Sequence, residues 1–254
     1  MKVFKRFIFM LQFFTAIPLP FTLDVNAEDT GKGLIFAPLV GLILGLVLSG
    51  AYYLLNLLFP IYVTVVFLIV LYIILTGGLH LDGLGDTFDG LFSYRSKERI
   101  LEIMKDSRVG TNAVLAIVCV LLLDTALLAA AGQAAMVKIL LLMPIAGRMG
   151  ALIGAGVSVY ARKGEGLGKS FIDYCGKREV FIGAVPVILI FYAVGGLIGF
   201  LLSAVSMTAS YLMVKLLSRK IGGATGDILG AVCEMTQTCF LIAVYLFQVL
   251  GFKL

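Results

Sequence analysis

The chain has 254 residues, of which 61% are hydrophobic and 14% charged, with a formal net charge of +5. Its mean hydropathy of +1.07 excludes an ordinary soluble domain, in which about a quarter of the residues are charged. That much apolar surface needs lipid as its solvent.

The first 20 residues carry Lys2, Lys5 and Arg6 ahead of an apolar run. No small-x-small cleavage site follows, and Pro18 and Pro20 interrupt, so the expectation is an interfacial helix on the membrane surface or tucked against a bundle, not a cleaved leader. Apolar segments then run over residues 34–58, 61–78, 109–131, 136–158, 179–194, 197–217 and 227–251. Their lengths predict an all-α, polytopic membrane bundle of about seven transmembrane helices. No repeat, low-complexity run or linker divides the chain, so residues 1–254 are read as one transmembrane catalytic domain. Cys119, Cys175, Cys233 and Cys239 show no C-x-x-C spacing and read as small apolar residues.

Charge placement orients the map. With residues 1–32 cytoplasmic, residues 79–108, 160–178 and 218–226 fall on the same side and hold most of the remaining Lys and Arg, whereas turns 59–60, 132–135 and 195–196 carry none. Only Lys138 and Lys253 lie near the opposite side. This is the positive-inside pattern of a plasma membrane protein, and it accounts for the net charge without nucleic acid.

Within the second cytoplasmic segment, residues 77–90 place Asp82, Asp86 and Asp89 among five glycines. At about 100° per residue the i, i+4, i+7 spacing puts the three carboxylates within an arc of ~60° on a helix. Such a stripe repels itself unless a cation sits among its members, and hard divalent metals prefer oxygen ligands. Its expected task is to hold Mg²⁺ against a diphosphate; the plainer reading is a polar helix end facing water. Sole His80 could be a ligand or proton shuttle, but it lies on the opposite face and reads first as a helix-terminal structural histidine.

Asp227 and Glu234, seven apart at the start of the last span, share a helical face and are read as further ligands; an ionisable group two turns into a membrane is a functional candidate by default. Ser96 can cap a short cytoplasmic elbow helix with Ile100, Leu101, Ile103 and Met104 on its apolar side. After it come Lys105, Asp106, Ser107, Arg108 and Gly110, either phosphate-binding or ordinary cytoplasmic-side residues. In the apolar interior, Arg148 either pairs with Asp124 or meets an anionic substrate. The Gly-rich loop 162–169, with Arg162, Lys163 and Lys169, reads equally as an anion-holding lid or a solvated loop.

Four segments, 13–20 (FFTAIPLP), 76–91 (TGGLHLDGLGDTFDGL), 103–111 (IMKDSRVGT) and 222–231 (GGATGDILGA), resemble in this order the cobalamin synthase family, or adenosylcobinamide-GDP ribazoletransferases. The likeness covers nearly the whole chain. It implies a Mg²⁺-dependent enzyme of a prokaryotic cytoplasmic membrane, with its active site facing the cytoplasm. Its substrates would be adenosylcobinamide-GDP and α-ribazole or its 5′-phosphate, and its products adenosylcobalamin or its phosphate, and GMP. On that reading Asp82, Asp86 and Asp89 hold the metal, or one of them, such as Asp89, takes the hydroxyl proton. Lys105, Asp106, Ser107, Arg108, Gly110, Arg148 and Lys169 bind substrate, and Asp227 and Glu234 orient the metal or nucleophile.

Two other readings compete. A CDP-alcohol phosphotransferase shares the start of its motif at Asp86-x-x-Asp89-Gly90, but Ser93-Tyr94 stands where Ala-Arg belongs and the later paired aspartates are missing. A divalent-cation transporter would place acidic residues at mid-bilayer on broken helices, whereas here the densest cluster faces the cytoplasm.

Overall fold

A computed structural model of the protein describes residues 2–20, 23–252 and 254; Lys253, read above as near the non-cytoplasmic side, lies outside the described residues. Helices are the regular elements among them: α1 (Lys2–Phe14), α2 (Ala27–Gly33), α3 (Ala37–Leu55), α4 (Ile61–Thr76), α5 (Leu79–Leu91), α6 (Lys97–Ile103), α7 (Thr111–Ala130), α8 (Gln133–Gly156), α9 (Leu167–Asp173), α10 (Lys177–Ser218) and α11 (Gly226–Val249).

Five helices are long and apolar enough to cross a membrane, or six if α4 and α5, bent by 89° at their junction, form one broken span. The expected seven exceeds this count because segments 179–194 and 197–217, a continuous 42-residue stretch counted once, are two helices parted by a kink at Gly196, where φ is 57° and ψ −141°. A straight helix of that length would reach about twice the ~30 Å hydrocarbon thickness. Instead the backbone at Gly199 lies against the Phe191 carbonyl, so the chain turns back on itself.

The chain is thus built as a multi-pass membrane protein. Helix α8 sits at its centre, packed by α3, α10 and α11, and is buried almost continuously from Leu142 to Ala155. Helices α4, α7 and α10 turn Val66, Phe67, Leu122, Leu123, Leu189 and Tyr192 outward, which is the surface a lipid-facing helix presents. The N-terminal helix is tucked inward: Met10 and Phe14 are buried, and Arg6 holds Asp29 of α2 with Nη2–Oδ1 at 2.6 Å. Ser96 does precede the elbow helix α6 as expected, though its side chain makes no capping bond, and Ile100 and Met104 anchor the apolar side.

Candidate functional site

The aspartates are carried by α5, whose placement follows from its glycines. Gly77 and Gly78 adopt left-handed backbone (φ 61° and 70°), which residues with a Cβ rarely accept, and there the chain swings from α4 into α5. The 89° bend takes α5 away from the direction of α4 and across the start of α11. At the crossing, a Cβ on Gly83 would stand 2.9 Å from the Asp227 carbonyl oxygen, so only glycine lets the two backbones meet. At the far end of α5, Lys220 Nζ donates to the Leu91 carbonyl at 2.9 Å, satisfying an end that has no helical partner. Replacing Gly83 with alanine should push α5 off α11 and separate Asp82 and Asp86 from Asp227. A misplacement of this kind costs roughly 10²-fold in turnover; the check is kcat of the variant beside its melting temperature, and an unchanged kcat would show that the crossing does not position the site.

Asp82 is exposed, and Asp86 and Asp89 are half-buried, as is Asp227. Burial, followed by the charges of Asp82, Asp227 and Asp89, pushes the Asp86 carboxyl up to about 7, with Arg162 opposing. The α5 stripe and Asp227 therefore form one cluster short of positive charge, built of hard oxygen donors. Those donors fit a divalent ion of the Mg²⁺ type. Asp89 does something the spacing did not reveal: its Oδ2 accepts from Gly110 N–H at 2.6 Å and its Oδ1 from Ala113 N–H at 2.9 Å. It satisfies the first turn of α7 from a distant element.

The cations divide. Arg162, not among the residues expected to bind substrate, is the one that reaches the carboxylates: its Nη2 donates to Asp227 Oδ2 at 2.6 Å and to the Met104 carbonyl at 3.1 Å. It is held there because residues 159–161 run beside 223–224, with Ala224 N–H donating to the Val159 carbonyl and Ala161 N–H to the Ala224 carbonyl. The signal in the sequence was Gly222-Gly223, the small residues this approach requires. Lys105 shares with Lys97, Arg162 and Lys163 a groove of about 430 Å³. Arg108 is exposed and forks onto Asp106, holding that carboxyl down at about 2. Ser107 is exposed beside it and Gly110 lies under Asp89. Lys169 pairs with Asp173 at 3.2 Å in a separate groove.

Glu234 and Arg148, expected as a ligand and a substrate-binding residue, are not brought to the carboxylate mouth. Glu234 is buried one layer deeper, accepting from Tyr72 Oη at 2.7 Å and Gln237 Nε2 at 3.0 Å. Arg148 is fully buried and donates through Nη1 to Tyr72 Oη and Gln237 Oε1. Nor does it pair with Asp124, which accepts from Thr238 at 2.7 Å. His80, Cys233 and Glu234 offer ligand atoms within 4.8 Å of one another. The Glu234 oxygens already have donors there, and Arg148 supplies the balancing charge.

A carboxylate cluster beside Arg162 can hold a divalent ion and phosphate oxygens together. The family described as cobalamin-5-phosphate synthase matches residues 6–245. The chain belongs to that family. Among cobalamin-5-phosphate synthase relatives, a protein of Acetivibrio thermocellus is 56% identical over 98% of this chain and 100% of its own length. One of Clostridium acetobutylicum is 51% identical over 96% and 97%, and one of Caldanaerobacter subterraneus 41% identical over 98% and 100%. All three are named adenosylcobinamide-GDP ribazoletransferase. No solved structure matches the chain. Membership of the cobalamin-5-phosphate synthase family favours the resemblance over the lipid phosphotransferase and transporter readings.

Proposed function

We infer that the protein transfers adenosylcobinamide phosphate from adenosylcobinamide-GDP to a hydroxyl of α-ribazole, or of its 5′-phosphate, and releases GMP at the cytoplasmic face of a prokaryotic plasma membrane. The observation that carries this reading is the meeting of Asp82 and Asp86 with Asp227 and Arg162 where α5 crosses α11. The positive-inside distribution of Lys and Arg supports the sidedness.

In the reaction, the ribazole oxygen bonds to the phosphorus that bears cobinamide, and the bond from that phosphorus to the bridging oxygen breaks, with GMP keeping the electron pair. Asp86 and Asp227 would hold Mg²⁺, which when bound neutralises charge on the diphosphate as the leaving oxygen departs. Arg162 fixes Asp227 and faces the same oxygens, and Lys105 and Lys163 extend the positive surface along the groove toward the nucleotide. The oxygens of Asp89 are occupied by backbone N–H groups, which leaves exposed Asp82 the better placed to accept the hydroxyl proton.

The test is GMP release from adenosylcobinamide-GDP and α-ribazole by the purified protein in lipid nanodiscs. Turnover is expected with Mg²⁺ and its loss with EDTA, restored by added Mg²⁺. Turnover that survives chelation would remove the metal from the mechanism, and turnover of CDP-activated lipid in its place would overturn the assignment.

A further inference from the structure

We propose that the cavity beside the carboxylates receives the aromatic base of the nucleophile, a flat and mostly apolar fused bicyclic, entered benzo ring first with its ribose left at the rim; this rests on the transfer reaction above. The cavity measures about 180 Å³, with Asp82 and Asp227 in its wall beside Leu34, Ala151 and Leu229. An apolar protein cavity of about 150 Å³ takes a benzene ring, so this one takes the benzo half of a bicycle with its small substituents. Ring faces line it: Phe14 and Phe171 lie 22° from parallel with centroids 6.4 Å apart, and Phe14 stacks on His80 at 5.3 Å and 21°. Such near-parallel faces suit a flat ring inserted beside them.

Two other parts of the substrates fit it poorly. A diphosphate is charged, and a corrin is far larger than the cavity. A second feature points the same way. Both ring nitrogens of His80 are buried without a hydrogen-bond partner, and the nearest carboxylate oxygen, Glu234 Oε1, is 3.8 Å from Nδ1, beyond hydrogen-bonding reach. A neutral imidazole has one N–H to give, and a benzimidazole riboside has one free ring nitrogen to accept it. With the benzo ring inside, the ribose hydroxyls emerge beside Asp82, where the proton has to be taken.

The test compares ribosides of 5,6-dimethylbenzimidazole, benzimidazole and adenine at saturating adenosylcobinamide-GDP. Each lost methyl should lower kcat/KM by roughly 10-fold or more, and the adenine riboside should fall further. Ala151→Leu, which fills the cavity, should raise KM for the ribazole about 10-fold or more and leave KM for adenosylcobinamide-GDP unmoved. Equal use of the adenine riboside, or a shift in KM for adenosylcobinamide-GDP alone, would overturn the assignment. Should Ala151→Leu fail to fold, Phe171→Ala makes the opposite change and should relax selectivity toward a bulkier tricyclic base; unchanged selectivity counts against the cavity. Equilibrium binding of 5,6-dimethylbenzimidazole, followed by its own fluorescence in this tryptophan-free chain, separates the two readings. Saturable binding lost in Ala151→Leu upholds the cavity even if no GMP is released, whereas absent binding in an enzyme that does release GMP refutes it.

Discussion

Asp86→Asn is expected to lower the rate of GMP release by about 10²–10³-fold, the usual cost of removing one preorganised group that stabilises charge in a transition state. The same change should leave stability intact or raise it slightly. Asp86 makes no hydrogen bond to another described residue, and its carboxyl is crowded by Asp82, Asp227 and Asp89, which help to push it up to about 7. A carboxylate that is partly buried and faces other carboxylates gains little structurally from its charge, which is why the proposed bound cation makes it the residue to test. The measurement pairs single-turnover GMP release, across a Mg²⁺ titration, with thermal unfolding in the same nanodiscs. Lost turnover with a weaker Mg²⁺ response and an unchanged melting temperature is the expected signature. Normal Mg²⁺-dependent turnover in the folded variant would take Asp86 out of the site.

That contrast between repulsion and repair also marks what the sequence could convey. Helical spacing was enough to put Asp82, Asp86 and Asp89 on one stripe of α5, and charge placement was enough to gather most of the cations into one set of connecting segments. Neither could show that Asp89 is captured by the N–H groups of Gly110 and Ala113, more than twenty residues later, because that contact depends on how α7 docks against α5. The i, i+7 spacing correctly put Asp227 and Glu234 on one face but said nothing of depth: seven residues at 1.5 Å each carry Glu234 about 10 Å further along α11, out of the mouth and into the buried network. Arg162 stayed undecided between an anion-holding lid and a solvated loop for the related reason that a loop cation looks solvated until a backbone pairing, here with 223–224, turns it inward. The span boundary drawn between 194 and 197 coincides with the kink at Gly196, whereas hydropathy alone gave no sign of the 89° bend at Gly77-Gly78.

Arg148→Met should destabilise the protein by about 3–5 kcal/mol, the range for breaking a buried charge network from one side. The arginine is fully enclosed, its guanidinium lies 5.3 Å from the Tyr72 ring centroid, and its Nη1 donates to Tyr72 Oη, which in turn donates to Glu234. Gln237 extends the network, accepting from Arg148 Nη1 and donating to Glu234, while Arg148 Nε and Nη2 are buried without partners among the described residues. The network joins α4, α8 and α11, so it fixes the frame on which α5 rests. With methionine at 148 the apolar stem is kept, and what is lost is the charge that Glu234 faces. The double variant Arg148→Met/Glu234→Gln removes both charges and should recover part of the loss, a coupling that a double-mutant cycle on chemical unfolding in detergent measures. If Arg148→Met is as stable as the parent and only turnover falls, the network is not structural, and Arg148 returns to the substrate-binding role that its burial behind Tyr72 argues against.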